Sequence, residues 1–466
     1  MDTLAHALSA RIWDALGGDP ARLARLSVGG EGAWPGLFPV SDLAAAAVAC
    51  AALAADELRD LAGTRADTGP GAVQVDRRLA AAWFGVTLQP LGWAPPPLRD
   101  ALTGDWRCRD GWIRLHANAP HHRAAALDVL GLRDDPGQVD EARVAAAVAS
   151  WHGASLERAV VEAGGCAAEM RDIQAWRAHP QGIAVQGHPL VEWRCAPASA
   201  ARWNPRSSGL LRGLRVLDMT RVLAGPVATR MLAGLGATVL RIDPPQWNEP
   251  GVVADVTRGK RCARLDLKTA PGHARFVELL AQADVFVHGL RPGALDALGL
   301  DARARTRIRP GLVDVSLDAY GWHGPWASRR GFDSLVQMSC GIADAGMRAA
   351  GAKRPLPLPV QALDHSTGYL AAAAVLRGLT RRVGGDQGTE VQLSLAATAE
   401  ILLDLTHRTE AGQAPHAPLS EADWLTRIER TPWGPARRLR APWGIAGVPT
   451  RWHLPAAELG SAPARW

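Results

Sequence analysis

The chain has 466 residues, 47% of them hydrophobic, and a formal net charge of +6. That length exceeds one ordinary domain and supplies apolar residues for a sizeable core. The positive balance is almost all arginine, since lysine occurs only at Lys260, Lys268 and Lys353; the arginines are scattered, with no basic tract and no interleaved aromatics, which argues against a nucleic-acid partner.

Apolar residues at 4, 8, 12 and 16 predict a helix in 1–28. Residues 42–62 read as one Ala-rich helix. Asp42 stands at its start, where it would cap exposed amides and oppose the helix dipole. AVQVDRRLAAAWFG reads as a strand running into a helix, and residues 88–104 as a Pro-rich connection. WRCRDGWIRLHANAP reads as two short strands around the Asp110–Gly111 turn, with helices expected at 120–131, 140–150 and 154–164. PASAARWNPRSSG is then a linker. It divides an N-terminal region, 1–205, holding a small α+β domain, from a second region, 206–466.

Past 206 the pattern changes. Strands are expected within 212–220 and at 237–243, 284–290 and 312–320, with helices over 221–236 and 271–283. This alternation predicts an α/β fold, an open parallel Rossmann-like sheet flanked by helices. The turn at Ala224, Gly225 and Pro226 opens a helix. It either brings backbone and a helix N-terminus to an anionic ligand or serves packing alone. QALDHSTGYLAAAAVLRG (361–378) sets Asp364 before a second Ala-rich helix, and locally it reads as a capped helix start. Residues 40–80 echo 361–397, each having an Asp, an Ala-rich helix, a Gly turn and Val-Gln.

Cys50, Cys108, Cys166, Cys195, Cys262 and Cys340 form no Cys-x-x-Cys pair, which argues against a zinc ribbon or a disulfide framework. No metal-ligating motif stands out. The first residues lack a basic start before an apolar core, and the Ala-rich runs are broken by charge. Neither a signal peptide nor a spanning helix is expected, so the expected location is cytoplasmic, with no membrane partner.

Several blocks resemble, in order, the class III CoA-transferase family. They are LRVLDMTRVLAGPVATRMLAGLGATVLRID, RGKRCARLDLKTAPG, DVFVHGLRPGALDALGL, GWHGPWASRRGFDSLVQMSCG and ALDHSTGYLAAAAVLRGL. TPWGPARRLRAPWGIAG resembles the family's C-terminal segment. DGWIRLHANAPHHRAAALDVLG resembles its small domain, here placed ahead of the CoA-domain material. The resemblance implies the family's fold and a CoA-transferase moving CoA from an acyl-CoA thioester to a carboxylic acid. It also implies coenzyme A as a substrate rather than a tightly bound cofactor, and a homodimer, possibly interlocked. Asp364 matches the family's nucleophile, which attacks the thioester and becomes covalently acylated. Asp333 matches an acidic position near the active site. The resemblance places Ala224, Gly225 and Pro226 near the thioester. It makes Lys268 a candidate contact to a CoA phosphate or the adenine edge; Arg258, Lys260 and Arg291 add positive charge that suits the CoA phosphates or forms a solvated surface cluster.

There are departures from the family pattern. The racemase branch has a His where this chain has Phe332, and His365 and His323 stand at other motif positions. His288-Gly289-Leu290 replaces Glu-Asn-Phe/Tyr, and neither the glycine-rich flap nor the long insert between 400 and 431 has a match. An acyl-CoA racemase or isomerase, or a non-catalytic CoA-binding protein, are the alternatives.

Overall fold

Six short segments after residue 210, most of them rich in buried aliphatic residues, pair into a parallel sheet covered on both faces. The structure is a computed structural model and describes residues 3–63, 69–97, 99–132, 140–198, 203–205, 209–385, 387–405 and 414–466. The main sheet comprises β1 (Glu192–Ala198), β2 (Arg215–Met219), β3 (Thr238–Asp243), β4 (Lys260–Arg264), β5 (Val285–His288), β6 (Val313–Asp318) and β7 (Gln387–Ser394). Its order is β4-β3-β2-β5-β6-β7-β1, and only the β7–β1 pairing is antiparallel.

Val216, Val285, Val287, Val313, Val315 and Val391 face a core built with three helices, α1 (Val40–Leu61), α2 (Ala224–Gly234) and α4 (Ala362–Gly385). A shorter helix, α3 (Asp333–Ser339), precedes α4 in the chain. Leu217, Leu240 and Phe286 point the other way, onto Phe276, Leu279 and Leu280 of the helix Ala270–Ala281. The chain runs from β2 to β3 on one side, and β5 lies on the other. In parallel sheets that reversal opens a crevice beyond the carboxyl ends of the two strands.

α1 and α4 pack against each other. Their alanines are fully buried, and such small side chains let two helix axes come close. The echo between the two Ala-rich stretches therefore joins two helices of one core. The ends of the chain also share sheets. Leu26–Gly29 pairs with Val73–Asp76, which pairs with Trp443–Ile445, while Leu88–Pro90 pairs with Gly434–Arg438. The expected division at 205/206 falls between β1 and the rest of its sheet.

Residues 104–169 contain an antiparallel three-stranded sheet and the helices Pro120–Val129, Glu141–Ala149 and Gly153–Glu162. This small α+β unit has its own core, including Leu102, Trp106, Ile113, Val148 and Leu156.

Two local expectations change. The N-terminal helix stops at Ala15; Gly17, at φ 66°, turns the chain, and Pro20 starts a separate short 3-10 helix. Asp42 is no cap, since Pro39 holds that position. The Asp42 carboxylate lies in the first helical turn and pairs with Arg77 through two bonds of 2.8 and 3.1 Å. Among the described residues no helix is long and apolar enough to cross a membrane.

Candidate active site

A cavity of about 430 Å³ lies in that crevice. Thr220, Arg221, Val222 and Ala224 after β2, Gly289 to Pro292 after β5, and Leu317 to Ala319 at the end of β6 form its floor. His121 and His122 close it from the small unit, and Phe332 and Asp364 complete the wall. The position follows from the order reversal, because backbone diverges where strands leave in opposite directions.

The turn after β2 is held by a buried network. Asp218 Oδ1 accepts from the Thr220 backbone N–H at 2.9 Å and its hydroxyl at 2.5 Å. Oδ2 accepts from the Thr229 hydroxyl at 2.6 Å and from Lys260 Nζ at 3.0 Å. Val222 then adopts φ 63°, a left-handed conformation that a β-branched residue resists. Its N–H donates to Glu249 Oε2 at 2.9 Å, and such strain, of order 1–3 kcal/mol, is kept only where surroundings enforce it. A Cβ on Gly225 would overlap the Thr220 side chain, so glycine lets α2 begin directly above the strand end.

Asp364 sits in the first turn of α4, 6% exposed. Gly368 lies one turn on, on the same helix face, and a Cβ there would strike the Ala224 carbonyl. That close crossing of α4 and α2 sets Asp364 beside the turn at 220–224. The cap of α4 comes from elsewhere: Asp333 Oδ2 accepts the N–H groups of Leu363 and Asp364, at 2.9 and 3.0 Å. Asp333 Oδ1 accepts from the Gln337 amide, whose Oε1 accepts the Leu358 N–H at 2.7 Å.

Burial raises the pKa of Asp333, against the lowering effect of these donors. Burial and then the Asp333 charge raise Asp364 well above the carboxylate range. The two share a low-dielectric site, where both being ionised is costly. Asp318, also on the cavity wall, is pushed up to about 8 by burial, and its Oδ1 accepts the Gly321 N–H at 2.8 Å. Burial pushes His122 down to about 4. His116 stacks on Phe332 with ring centroids 3.8 Å apart, and burial brings it down to about 3. Both imidazoles are neutral near pH 7.

The residues expected from sequence part company here. Asp364, Ala224 and Arg291 line the cavity. Asp333 lies behind Asp364, and Gly225 and Pro226 are buried in the first turn of α2. Lys260 is not a phosphate contact, because its ammonium is fully buried between Asp218 and the Pro226 carbonyl, 3.0 Å from each. Arg258 is also engaged, 2.9 Å from Glu429 and stacked over Trp452 at 4.4 Å. Lys268 is exposed on the turn before Ala270–Ala281 and is not among the cavity-lining residues. His365 stacks on Phe84 at 4.9 Å, and His323 pairs with Glu192 at 3.0 Å. His288 is buried at the end of the central strand β5, 3.8 Å from Asp314.

Sequence reasoning missed His121, His122 and Asp318 as cavity residues, together with Arg221 (over Trp247 at 4.7 Å) and Arg330. The one available signal was the His pair following Pro120 at a helix start. Among the described residues no group of metal-ligating side chains is assembled.

Comparison with known proteins gives these findings. Residues 211–439 match CoA-transferase family III. The chain is 33% identical over 202 residues to a probable fatty acyl-CoA transferase of Mycobacterium tuberculosis, covering 40% of this chain and 50% of that protein. It is 32% identical over 203 residues to the succinyl-CoA:glutarate CoA-transferase of Homo sapiens, covering 40% and 45%. A crystal structure of a hypothetical protein from M. tuberculosis shares 30% identity over 43% of this chain and 60% of that one, with a TM-score of 0.38. The chain spans 58%, 32% and 50% of the length of three curated relatives that it matches.

Proposed function

We propose that this chain, whose residues 211–439 match CoA-transferase family III, moves CoA between an acyl-CoA thioester and a carboxylic acid through Asp364. One observation carries the reading. A buried carboxylate, on a helix capped by a second carboxylate, faces a cavity at the strand reversal of an α/β sheet.

In this reading the ionised Asp364 attacks the thioester carbonyl. A C–O bond forms, the C–S bond breaks, and CoA leaves as thiolate. The thiolate attacks the aspartyl carbonyl, releasing the donor acid and leaving an aspartyl-CoA thioester. The acceptor carboxylate repeats the sequence in reverse and regenerates Asp364. Asp333 fixes the Asp364 backbone and, by its charge, makes Asp364 a stronger base. The helix N-terminus at Ala224 offers amides to negative charge developing on the carbonyl oxygen. Arg291, exposed on the loop after β5, would meet a CoA phosphate, and the Rossmann-like strand order suits a nucleotide-bearing substrate. A homodimer remains part of the proposal, on the family resemblance.

The test is incubation with a panel of acyl-CoAs, hydroxylamine trapping and peptide mass analysis. An adduct at Asp364 supports the reading, and its absence with every donor sinks it. A second reading, proton exchange at the carbon next to the thioester, is favoured by His121 and His122, which line the same cavity as Asp364. Deuterium wash-in at that carbon, without CoA transfer, would select it.

A further inference from the structure

Among the described residues Val222 is the one non-glycine residue with a left-handed backbone, and it lines the cavity that holds Asp364. Glycine would take φ 63° without strain, whereas a β-branched side chain resists it. Leu223 follows at φ −125° and ψ −59°, outside ordinary helix geometry, before α2 begins at Ala224. Residues kept in such sparsely populated conformations cluster at functional sites, and the surrounding structure must hold them there.

Glu249 holds this turn. One of its oxygens, Oε2, accepts the Val222 backbone N–H and the Trp247 indole N–H, each at 2.9 Å. The other, Oε1, lies 2.6 Å from Arg241, which also bonds Asp243 at 2.9 and 3.0 Å. The Glu249 side chain is 6% exposed and that of Arg241 0%. The Glu249 carbonyl accepts the N–H groups of Val252 and Val253, at 3.1 and 3.2 Å, so its backbone is fixed too. Hydrogen bonds to an ionised carboxylate are roughly twice as strong as neutral ones. Trp247 in turn lies beneath Arg221, whose guanidinium is 4.7 Å from the ring centroid. Val222, Trp247 and Arg221 all line the Asp364 cavity, and Glu249 does not. A single oxygen outside that cavity therefore sets two parts of its wall.

We propose that Glu249 is a positioning residue for the reaction at Asp364. It holds the 220–224 turn so that the amides at the start of α2 meet the reacting carbonyl, and it holds Trp247 so that Arg221 faces the cavity. This rests on the transferase reading and adds a supporting residue to it. Glu249 touches no substrate and makes and breaks no covalent bond. Misplacement of about 1 Å in such a support can cost roughly 100-fold in rate.

The experiment is the single-turnover rate of Asp364 acylation by acyl-CoA, read by hydroxylamine trapping in the full chain. Glu249→Gln carries one oxygen and one NH2. Whichever way the amide turns, a donor faces either Arg241 or the Val222 and Trp247 N–H groups. The saturating rate should fall by roughly 10- to 100-fold, with the half-saturating acyl-CoA concentration changed by less than about threefold. Val222→Gly takes the turn unaided, so in that background Glu249→Gln should cost at least about threefold less than in the parent. An equal loss in both backgrounds, or no loss in the parent, overturns the proposal, since a merely structural role would not depend on the residue at 222. Should Glu249→Gln fail to fold, Glu249→Asp carries the same test with the same expectations: it keeps the charge beside Arg241 and falls one methylene short of Val222 and Trp247. A parent chain with no adduct from any donor removes the transferase reading and this proposal with it. An adduct in the parent with an unchanged rate in the variant removes this proposal alone.

Discussion

Asp333 Oδ2 accepts the backbone N–H groups of Leu363, at 2.9 Å, and Asp364, at 3.0 Å, so one carboxylate caps the helix that carries the other. The same contact positions the Asp364 backbone and places a like charge close to its carboxylate. The two effects separate by mutation. Asp333→Asn keeps an acceptor oxygen and loses the charge, so the acid limb of the kcat/KM–pH profile should move to lower pH. Asp333→Ala also leaves two buried N–H groups unmet, and should cost about 1–3 kcal/mol of stability in urea denaturation. Transfer should fall further in the Ala variant than in the Asn variant.

The pKa of Asp364 itself supplies a stability test. Burial and the Asp333 charge raise it in the folded chain. The folded state therefore holds this proton to higher pH than the unfolded state, whose value is about 3.9. Below that value Asp364 costs nothing. As pH rises from there to the folded pKa, the folded state loses stability, at about 1.4 kcal/mol per pH step of one, and above it the loss is constant. Asp364→Asn removes this loss. Its Tm should match the parent near about pH 4 and exceed it at about pH 7.5 by a few degrees, while acyl transfer falls by ~1,000-fold or more. Scanning calorimetry at the two pH values checks the sign; a variant less stable at the higher pH would refute it.

The alternation of β2, β3, β5 and β6 with helices was legible because those strands are short, apolar and bounded by turns. β1, β4 and β7 were not placed as strands. β4 carries Lys260, Arg261 and Arg264, and in sequence it reads as a cation cluster. Burial of Lys260 against Asp218 becomes visible only when two segments 42 residues apart are neighbours. Asp42 and Asp364 show the same limit. Each lies in the first turn of an Ala-rich helix, yet Arg77 pairs with the first, while burial and then the Asp333 charge raise the second. The partners, 35 and 31 residues away, decide the chemistry, and no local pattern names them. His122 reaches the cavity from a separately packed unit, so helix periodicity in its own segment says nothing of the site.

Lys260 should behave as a structural residue. Its ammonium and the Asp218 carboxylate are both fully buried. Lys260→Met would leave that carboxylate unpaired, which costs about 3–5 kcal/mol. Asp218→Asn in the same chain removes the stranded charge and keeps an acceptor oxygen for Thr220, while its amide NH2 would donate to the Thr229 hydroxyl, so the double variant should recover a large part of the loss. Chemical denaturation of the single and double variants measures the coupling. A Lys260→Met chain of parental stability with a raised KM for acyl-CoA would restore the phosphate-contact role.

Arg291 and Lys268 make a paired test of which cation meets CoA. Arg291 lines the cavity that holds Asp364 from the loop after β5, whereas Lys268 is exposed on a turn and lies outside the cavity lining. A charge-assisted hydrogen bond to phosphate contributes about 1.5–3 kcal/mol, less where solvent screens it. Arg291→Ala should therefore raise KM for acyl-CoA by roughly tenfold with kcat little changed, and the increase should shrink with added salt. Lys268→Ala should leave KM as it is. Steady-state kinetics at two ionic strengths distinguish the cases, and the reverse pattern would move the nucleotide end of CoA from the strand-reversal crevice toward the turn before Ala270–Ala281.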